Sequence, residues 1–388
     1  MRSPLALLAV ITLANACSSS SGHGSSQGAL TGVSATVVIG QSSFVSKGTN
    51  AGGDTVSARG FNQPVGDASF AGGRLLLPDT GNHRVLEFAG LPTASGASAT
   101  GVHGQSDLTS GTPSLAPARF YLPHSVWADT SRVVIADTRA SRVQLGPGAT
   151  PVLVGWGVDG TYRTGCAADM LSDPWRAIVV GTRLIVADRS NHRVLVWNEV
   201  PTAPGPADLV VGQQDLEHCA PNDSLGSGMP GGRSERSLRF PTDVWSDGER
   251  LLVVDQGNNR VLLWNHFPSA NGAPADVVLG QEDFHAGAGK ATQSGMSGPG
   301  FVASDGIRIY VADVRNNRVL GWRSFPTTSG APADIVLGQE DFIHTGQNGH
   351  AAAVSARTLD RPMGVALVGS SVIVTDTYNN RYLVFSVP

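Results

Sequence analysis

The strongest constraint on this chain is a short segment that returns six times in register. It reads DTGNHRVLEF from Asp79, DTRASRVQLG from Asp137, DRSNHRVLVW from Asp188, DQGNNRVLLW from Asp255, DVRNNRVLGW from Asp313 and DTYNNRYLVF from Asp376. The copies lie about 59 residues apart, and such a period marks one supersecondary unit repeated along the chain. An apolar run precedes each copy, as in LLVVD ending at Asp255, and a Pro-led segment such as PTDVWSDG from Pro241 precedes that run. A β-branched run ending in Gly-Gln follows in most units, as in ADVVLGQEDF from Ala275.

Each unit therefore offers four short strands separated by turn chemistry, with no helical periodicity. Four-stranded sheets repeated radially are the blades of a propeller. The chain ends supply a second sign. ATVVIGQSSF from Ala35 is a fourth strand with no blade before it, and the C-terminal VFSVP follows a third strand with no fourth after it. The two ends complete one another, which removes the exposed edges an open sheet would leave. The sequence thus predicts an all-β, six-bladed β-propeller of four-stranded antiparallel blades over residues 35–388, closed by an N-terminal strand that completes the last blade.

The Asp-x-x-Asn-x-Arg-Val-Leu segment resembles the NHL repeat, and the resemblance covers nearly all of residues 35–388. Blade two departs most from the pattern. Ala140 replaces the Asn, no aromatic ends its third strand and its third turn is short, so local irregularity is expected there.

A residue present in every blade serves every blade, which points to packing rather than chemistry. Asp79 with Arg84, Asp188 with Arg193, Asp255 with Arg260 and their equivalents sit five apart across a tight turn, where a carboxylate accepts turn N–H groups and meets a guanidinium. His83 and His192 occupy the slot of Asn259 and Asn317 and read as turn residues. Trp197, Trp264, Trp322, Phe88 and Phe385 close third strands and are expected to fill the space between blades. The one Gly-x-Ser-x-Gly match, Gly24 to Gly28, falls in a Ser/Gly-rich stretch with no strand-to-helix context for a nucleophile elbow, and no Walker-type loop occurs.

Residues 1–16 read as a signal peptide: Arg2 gives a positive start and Leu5 to Ala14 are apolar but too few to span a bilayer. Leu13-Ala14-Asn15-Ala16-Cys17 resembles a bacterial lipobox, which implies acylation of Cys17, with ordinary signal-peptidase cleavage as the alternative. Residues 17–34 then form a flexible Ser/Gly-rich tether. These features place the protein outside the cytoplasm, held to the membrane through its lipid only. There, Cys166 and Cys219 are a candidate disulfide or two free thiols.

The formal net charge of −4 gives no basic field for nucleic acid, and the 25 arginines recur at repeat positions without forming a patch.

Function is sought where the repeats disagree. The loops from each outer strand to the next inner strand, at 41–63, 105–122, 157–173, 213–240, 281–298 and 339–361, are long and surround the channel mouth. The two residues after each inner-strand Pro form a ring that differs from blade to blade. It gathers His124, Trp175, Arg176, Thr242, Asp243, Phe301 and Met363 as ligand-binding candidates. His285 and His344 read as solvated loop histidines, and no metal or cofactor is expected.

Two function classes follow. One is a binding or scaffold module on the cell envelope, with a protein, peptide or small molecule as partner. The other is a lyase at the channel mouth, the activity that similarity to the peptide α-amidating and virginiamycin-type lyases implies. The amidating lyases hold zinc through three histidines, whereas only His124 stands in the corresponding region here. A lyase pairing His124 with Asp243 stays open.

Overall fold

The computed structural model describes residues 28–146, 150–155, 164–350 and 352–387; the expected signal peptide and Cys17 lie outside them. The described residues form six four-stranded antiparallel sheets. From the inner to the outer strand, blade one runs Ser69–Ala71, Arg74–Asp79, Arg84–Phe88 and Gly101–His103, and blade two Pro123–Ala128, Val133–Asp137, Arg142–Leu145 and Val152–Val154. Blade three runs Pro174–Val180, Arg183–Asp188, Arg193–Trp197 and Leu209–Val211, and blade four Pro241–Ser246, Leu251–Asp255, Arg260–Trp264 and Val277–Leu279. Blade five runs Pro299–Ser304, Ile309–Asp313, Arg318–Trp322 and Ile335–Leu337. Blade six runs Pro362–Val368, Ser371–Asp376 and Arg381–Ser386, and its outer strand is Val37–Ile39 from the other end of the chain. Val37 pairs with Val384 and Ile39 with Tyr382, which closes the ring as the sequence predicts. Leu30 bridges to Ile335, so the chain is already seated on the outer edge of blade five before it reaches that strand.

The apolar residues of neighbouring sheets face each other, and six buried clusters lie one at each blade–blade joint. Ile178 and Val196 of blade three pack with Val244 and Leu262 of blade four; Ile39 and Tyr382 of blade six pack with Leu75 and Leu77 of blade one. Trp197, Trp264 and Trp322 sit in these joints, each indole N–H donating to a backbone carbonyl (Gly205, Ala273 and Ala331). The apolar body and the satisfied polar edge together suit tryptophan to that position.

The recurring Asp–Arg pair organises the long loops. In blade one, Arg84 Nε donates to Asp79 Oδ2 at 2.7 Å, while its terminal nitrogens donate to the carbonyls of Leu108 and Ser57, each on a different loop. Arg84 and its five equivalents are fully buried, as are the aspartates. The turn N–H that the carboxylate accepts comes from a side chain in five blades: Asn82, Asn191, Asn258, Asn316 and Asn379 donate Nδ2–H to Oδ2 of the aspartate three residues before them. Its Oδ1 accepts the N–H of the residue two before the inner-strand Pro: Asn62, Tyr121, Ser172, Arg239, Ser297 and Asp360. Gln41, Gln105, Gln213, Gln281 and Gln339 of the Gly-Gln segments clamp the same loops, each donating to a turn carbonyl and to a carbonyl seven residues on. The glycine before Gln41 is required: Gly40 has φ +92°, and a Cβ there would lie 2.3 Å from the Phe61 ring.

A second device links each blade to the next. His83, Ser141, His192, Asn259, Asn317 and Asn380 end the turn in the left-handed conformation, which Asn and His tolerate better than most residues. Their side chains accept the amide of the residue just before the next blade's Pro; for example, Leu122 N–H donates to His83 Nδ1 at 3.1 Å and Phe240 N–H to His192 Nδ1 at 3.0 Å. That amide belongs to a residue that is itself left-handed: Gln63, Leu122, Asp173, Phe240, Gly298 or Arg361. Such a conformation costs on the order of 1–3 kcal/mol for a non-glycine residue, so the staple holds strained backbone in place.

The short third turn of blade two, at 147–149, lies outside the described residues, and its strands can be compared with the other blades. Its four strands pair as in the other blades. Gln144 replaces the missing Asn: its Nε2 donates to Asp137 Oδ2 at 3.1 Å, where the other blades use the turn Asn. Removing that donor with Gln144→Leu leaves a buried carboxylate oxygen short of a partner and should lower unfolding free energy by about 1–3 kcal/mol. Ala140→Asn added to that variant should recover part of the loss, measured by denaturant unfolding of both variants.

Candidate functional site

The inner strands begin with a bulge just after the Pro, seen as a register shift in blades two to six. The bulge turns the following side chains towards the hub. There Arg176 of blade three lies between two carboxylates. Its Nε is 3.2 Å from Asp243 Oδ1 of blade four, and its Nη2 is 3.3 Å from Asp67 Oδ2 of blade one. Nη1 donates to the carbonyl of Val126 in blade two. Asp243 Oδ2 accepts the amide of Val302 in blade five at 2.7 Å, and Asp67 Oδ1 accepts the amide of Val365 in blade six at 3.2 Å. Three charged side chains thus tie all six blades together.

Both carboxylates are buried and Arg176 is 11% exposed. Burial, and then the charge of Asp67, push the Asp243 carboxyl well above the usual carboxylate range. Burial raises Asp67 to about 7 against the opposing pull of Arg176. With one guanidinium between two buried carboxylates, both carboxyls hold their protons to higher pH than free ones do.

Above this tie lies an aromatic layer. The His124 ring stands edge-on to Trp175, with centroids 4.6 Å apart, and Trp175 stacks at 6.4 Å over Phe301. His124 Nδ1 is buried without a hydrogen-bond partner among the described residues. Burial, followed by the charges of Arg189 and Arg139, lowers the imidazole to about 3, so the ring is neutral at physiological pH. The Arg189 guanidinium lies 4.6 Å from the Trp175 ring centroid and 4.9 Å from that of Phe240.

Five of the sequence-derived candidates come together here: His124, Trp175, Arg176, Asp243 and Phe301. His124, Trp175 and Met363 are half-buried at the mouth, while Phe301 is fully buried and serves as floor. Thr242 has a different role. Its Oγ1 donates to Gly300 O at 2.6 Å, joining blade four to blade five, and Thr80, Thr138 and Thr375 make the same kind of bond at other joints. His124 and Asp243 are not hydrogen-bonded to one another; Asp243 faces Arg176 and main-chain amides instead. Asp67, Arg189 and Arg139 are additions that the residues after each Pro do not reveal.

Away from the hub, Cys166 and Cys219 form a disulfide between the loops entering blades three and four. His344 is held by Asp341 at 2.8 Å, and no group of three metal-ligating side chains occurs among the described residues.

No protein-family model and no curated protein matches the sequence. Solved structures resemble it in shape only. Virginiamycin B lyase from Staphylococcus aureus shares 11% identity over 84% of this chain and 95% of that one, with a TM-score of 0.44. The WD40 β-propeller domain of Doa1 shares 11% over 92% and 94%, with a TM-score of 0.44. A Bacteroides thetaiotaomicron protein of unknown function shares 13% over 90% and 74%, with a TM-score of 0.49. Neighbours this distant carry no argument about activity, and the site stands on its own geometry.

The Asp67 proton has a measurable consequence. The unfolded chain ionises this group near 3.8 and the folded protein near 7, so the folded state holds the extra proton in between. The stability it contributes is present below about pH 4 and is lost as pH rises towards 7. Asp67→Asn removes the titration. Relative to that variant, the wild type should lose about 1–4 kcal/mol of unfolding free energy between about pH 4 and pH 8, read by urea denaturation. A difference that stays constant with pH contradicts the raised Asp67.

Proposed function

We propose that this propeller is a recognition module of NHL-like type, displayed on the cell envelope by an acylated Cys17 and a short tether. In this reading it binds its ligand at the channel mouth formed by the second-to-third-strand turns. The observation that carries the proposal is the Arg176 tie. It commits the hub's charged groups to holding the six blades together and leaves a rigid, half-exposed layer of His124, Trp175 and Met363 above. A preorganised platform of this kind keeps the ordering cost of binding low.

The Cys166–Cys219 disulfide supports an extracytoplasmic setting, because such bonds persist in oxidising compartments. The competing reading, a lyase with His124 as base, has weaker support. An imidazole lowered to about 3 is a poor proton acceptor at neutral pH, and Asp243 faces Arg176 instead of His124.

Two measurements test the proposal. Cys17→Ser should move the protein from the membrane to the soluble envelope fraction. A photo-crosslinking residue at Met363 or Tyr378, on the mouth face, should give adducts in intact envelopes detectable by mass spectrometry. The same residue at Ile307, an exposed turn position on the opposite face, should give none. Equal labelling of both faces would remove the mouth from consideration.

A further inference from the structure

The arginines do not stay scattered, as their repeat positions suggest. Arg189 and Arg139 both act on the charge of His124, while Arg239 and Arg189 both act on that of His192, so three guanidiniums share one sector of the mouth between blades two and four. Among the described residues the one carboxylate within ion-pair distance of any of them is Asp173, 4.0 Å from Arg139 and half-buried. Among the described residues no carboxylate lies within ion-pair distance of Arg189 or Arg239. The chain as a whole carries −4, so this local surplus of positive charge opposes the net charge.

Arg189 is also fixed in place. Its guanidinium spans the Trp175 and Phe240 rings, one terminal nitrogen donates to Gln256 Oε1 at 3.3 Å, and Nε is buried without a hydrogen-bond partner among the described residues. His124 Nδ1 is likewise buried without a hydrogen-bond partner among the described residues, and its ring meets the same Trp175. Next to them a cleft of about 340 Å³ opens between blades two and three, lined by Leu115, Tyr121, Arg139, Ser141, Ser172 and Asp173 among others. That volume suits a small molecule. Guanidinium groups bind carboxylates and phosphates through paired N–H donors, and flat apolar groups stack on both arginine and aromatic planes.

We propose that this sector of the mouth binds a small oxyanion, a carboxylate or phosphate borne on a flat apolar body, with Arg139 of the cleft wall and the neighbouring Arg189 gripping the anion and Tyr121 meeting the ring. The inference rests on the reading of the mouth as the binding surface and adds the chemical class of the ligand.

Titration calorimetry on the intact protein tests it with four probes: phenyl phosphate, benzoate, benzyl alcohol and benzylamine. The two anions should bind, more weakly as salt rises, and the neutral and cationic probes should not. Arg189→Gln should weaken anion binding at least about tenfold with the melting temperature kept, whereas Arg357→Gln, on a loop in blade six, should leave it unchanged. Benzylamine or benzyl alcohol binding as tightly as the anions, indifferent to Arg189→Gln, would overturn the anionic class while leaving the mouth a binding site. Silence from all four probes, with crosslinks still forming at Met363 and Tyr378, would overturn it in the same way. Silence together with no mouth-specific crosslinks would overturn the mouth itself.

Discussion

The structure depends on a guanidinium buried beside a carboxylate, repeated around the ring. A buried charge is tolerated only when it is paired and its remaining donors are satisfied. Arg260 shows how this is done: Nε donates to Asp255, and the terminal nitrogens donate to the carbonyls of Phe284, Ser234 and Ser237. Those carbonyls belong to the loops before and after the blade. The demand for hydrogen-bond partners therefore shapes some twenty residues of irregular chain on either side of each pair. Loops that would otherwise be long and unsupported become fixed walls around the mouth.

At the hub the same chemistry is used once and asymmetrically. Arg176 faces two carboxylates, not one, and all three groups come from positions where the repeats differ. The six-fold pairs hold the periphery of the mouth, and the single triad holds its centre. Between these two rigid systems lie the half-buried imidazole and indole, supported from below and open above.

Much of this was legible in the sequence because it is periodic. The blade count, the strand-exchange closure, the inter-blade tryptophans and the turn role of His83 and His192 all follow from residues that recur at fixed steps. The hub was less legible because it depends on departures from the period. Asp137 follows Pro123 by 14 positions, and the same step holds in blades three to six, but Asp79 follows Pro64 by 15. That one extra residue carries Asp67 to the hub, so a reading confined to the two residues after each Pro stops one short. Arg189 was missed for a related reason: it sits in the turn slot occupied by Thr80 and Thr138 elsewhere, and repetition of the slot obscured the change of chemistry. Gln144 shows the converse, with a lost Asn replaced by a donor four residues away that no motif anticipates.

The strand exchange in blade six bears on the order in which the molecule can assemble. Thr36 and Val384 are hydrogen-bonded partners 348 residues apart, so the propeller's first strand emerges long before the neighbour it pairs with. Blades one to five are each contiguous in the chain and can fold as they emerge, whereas the sixth must recruit an edge strand that precedes all five of them. Contacts of such long sequence separation are slow to form. A translation product truncated before Arg381 has no third strand to receive Val37–Ile39 and exposes two unpaired edges, which makes an incomplete chain readily distinguishable from a finished ring by any factor that recognises open β-structure.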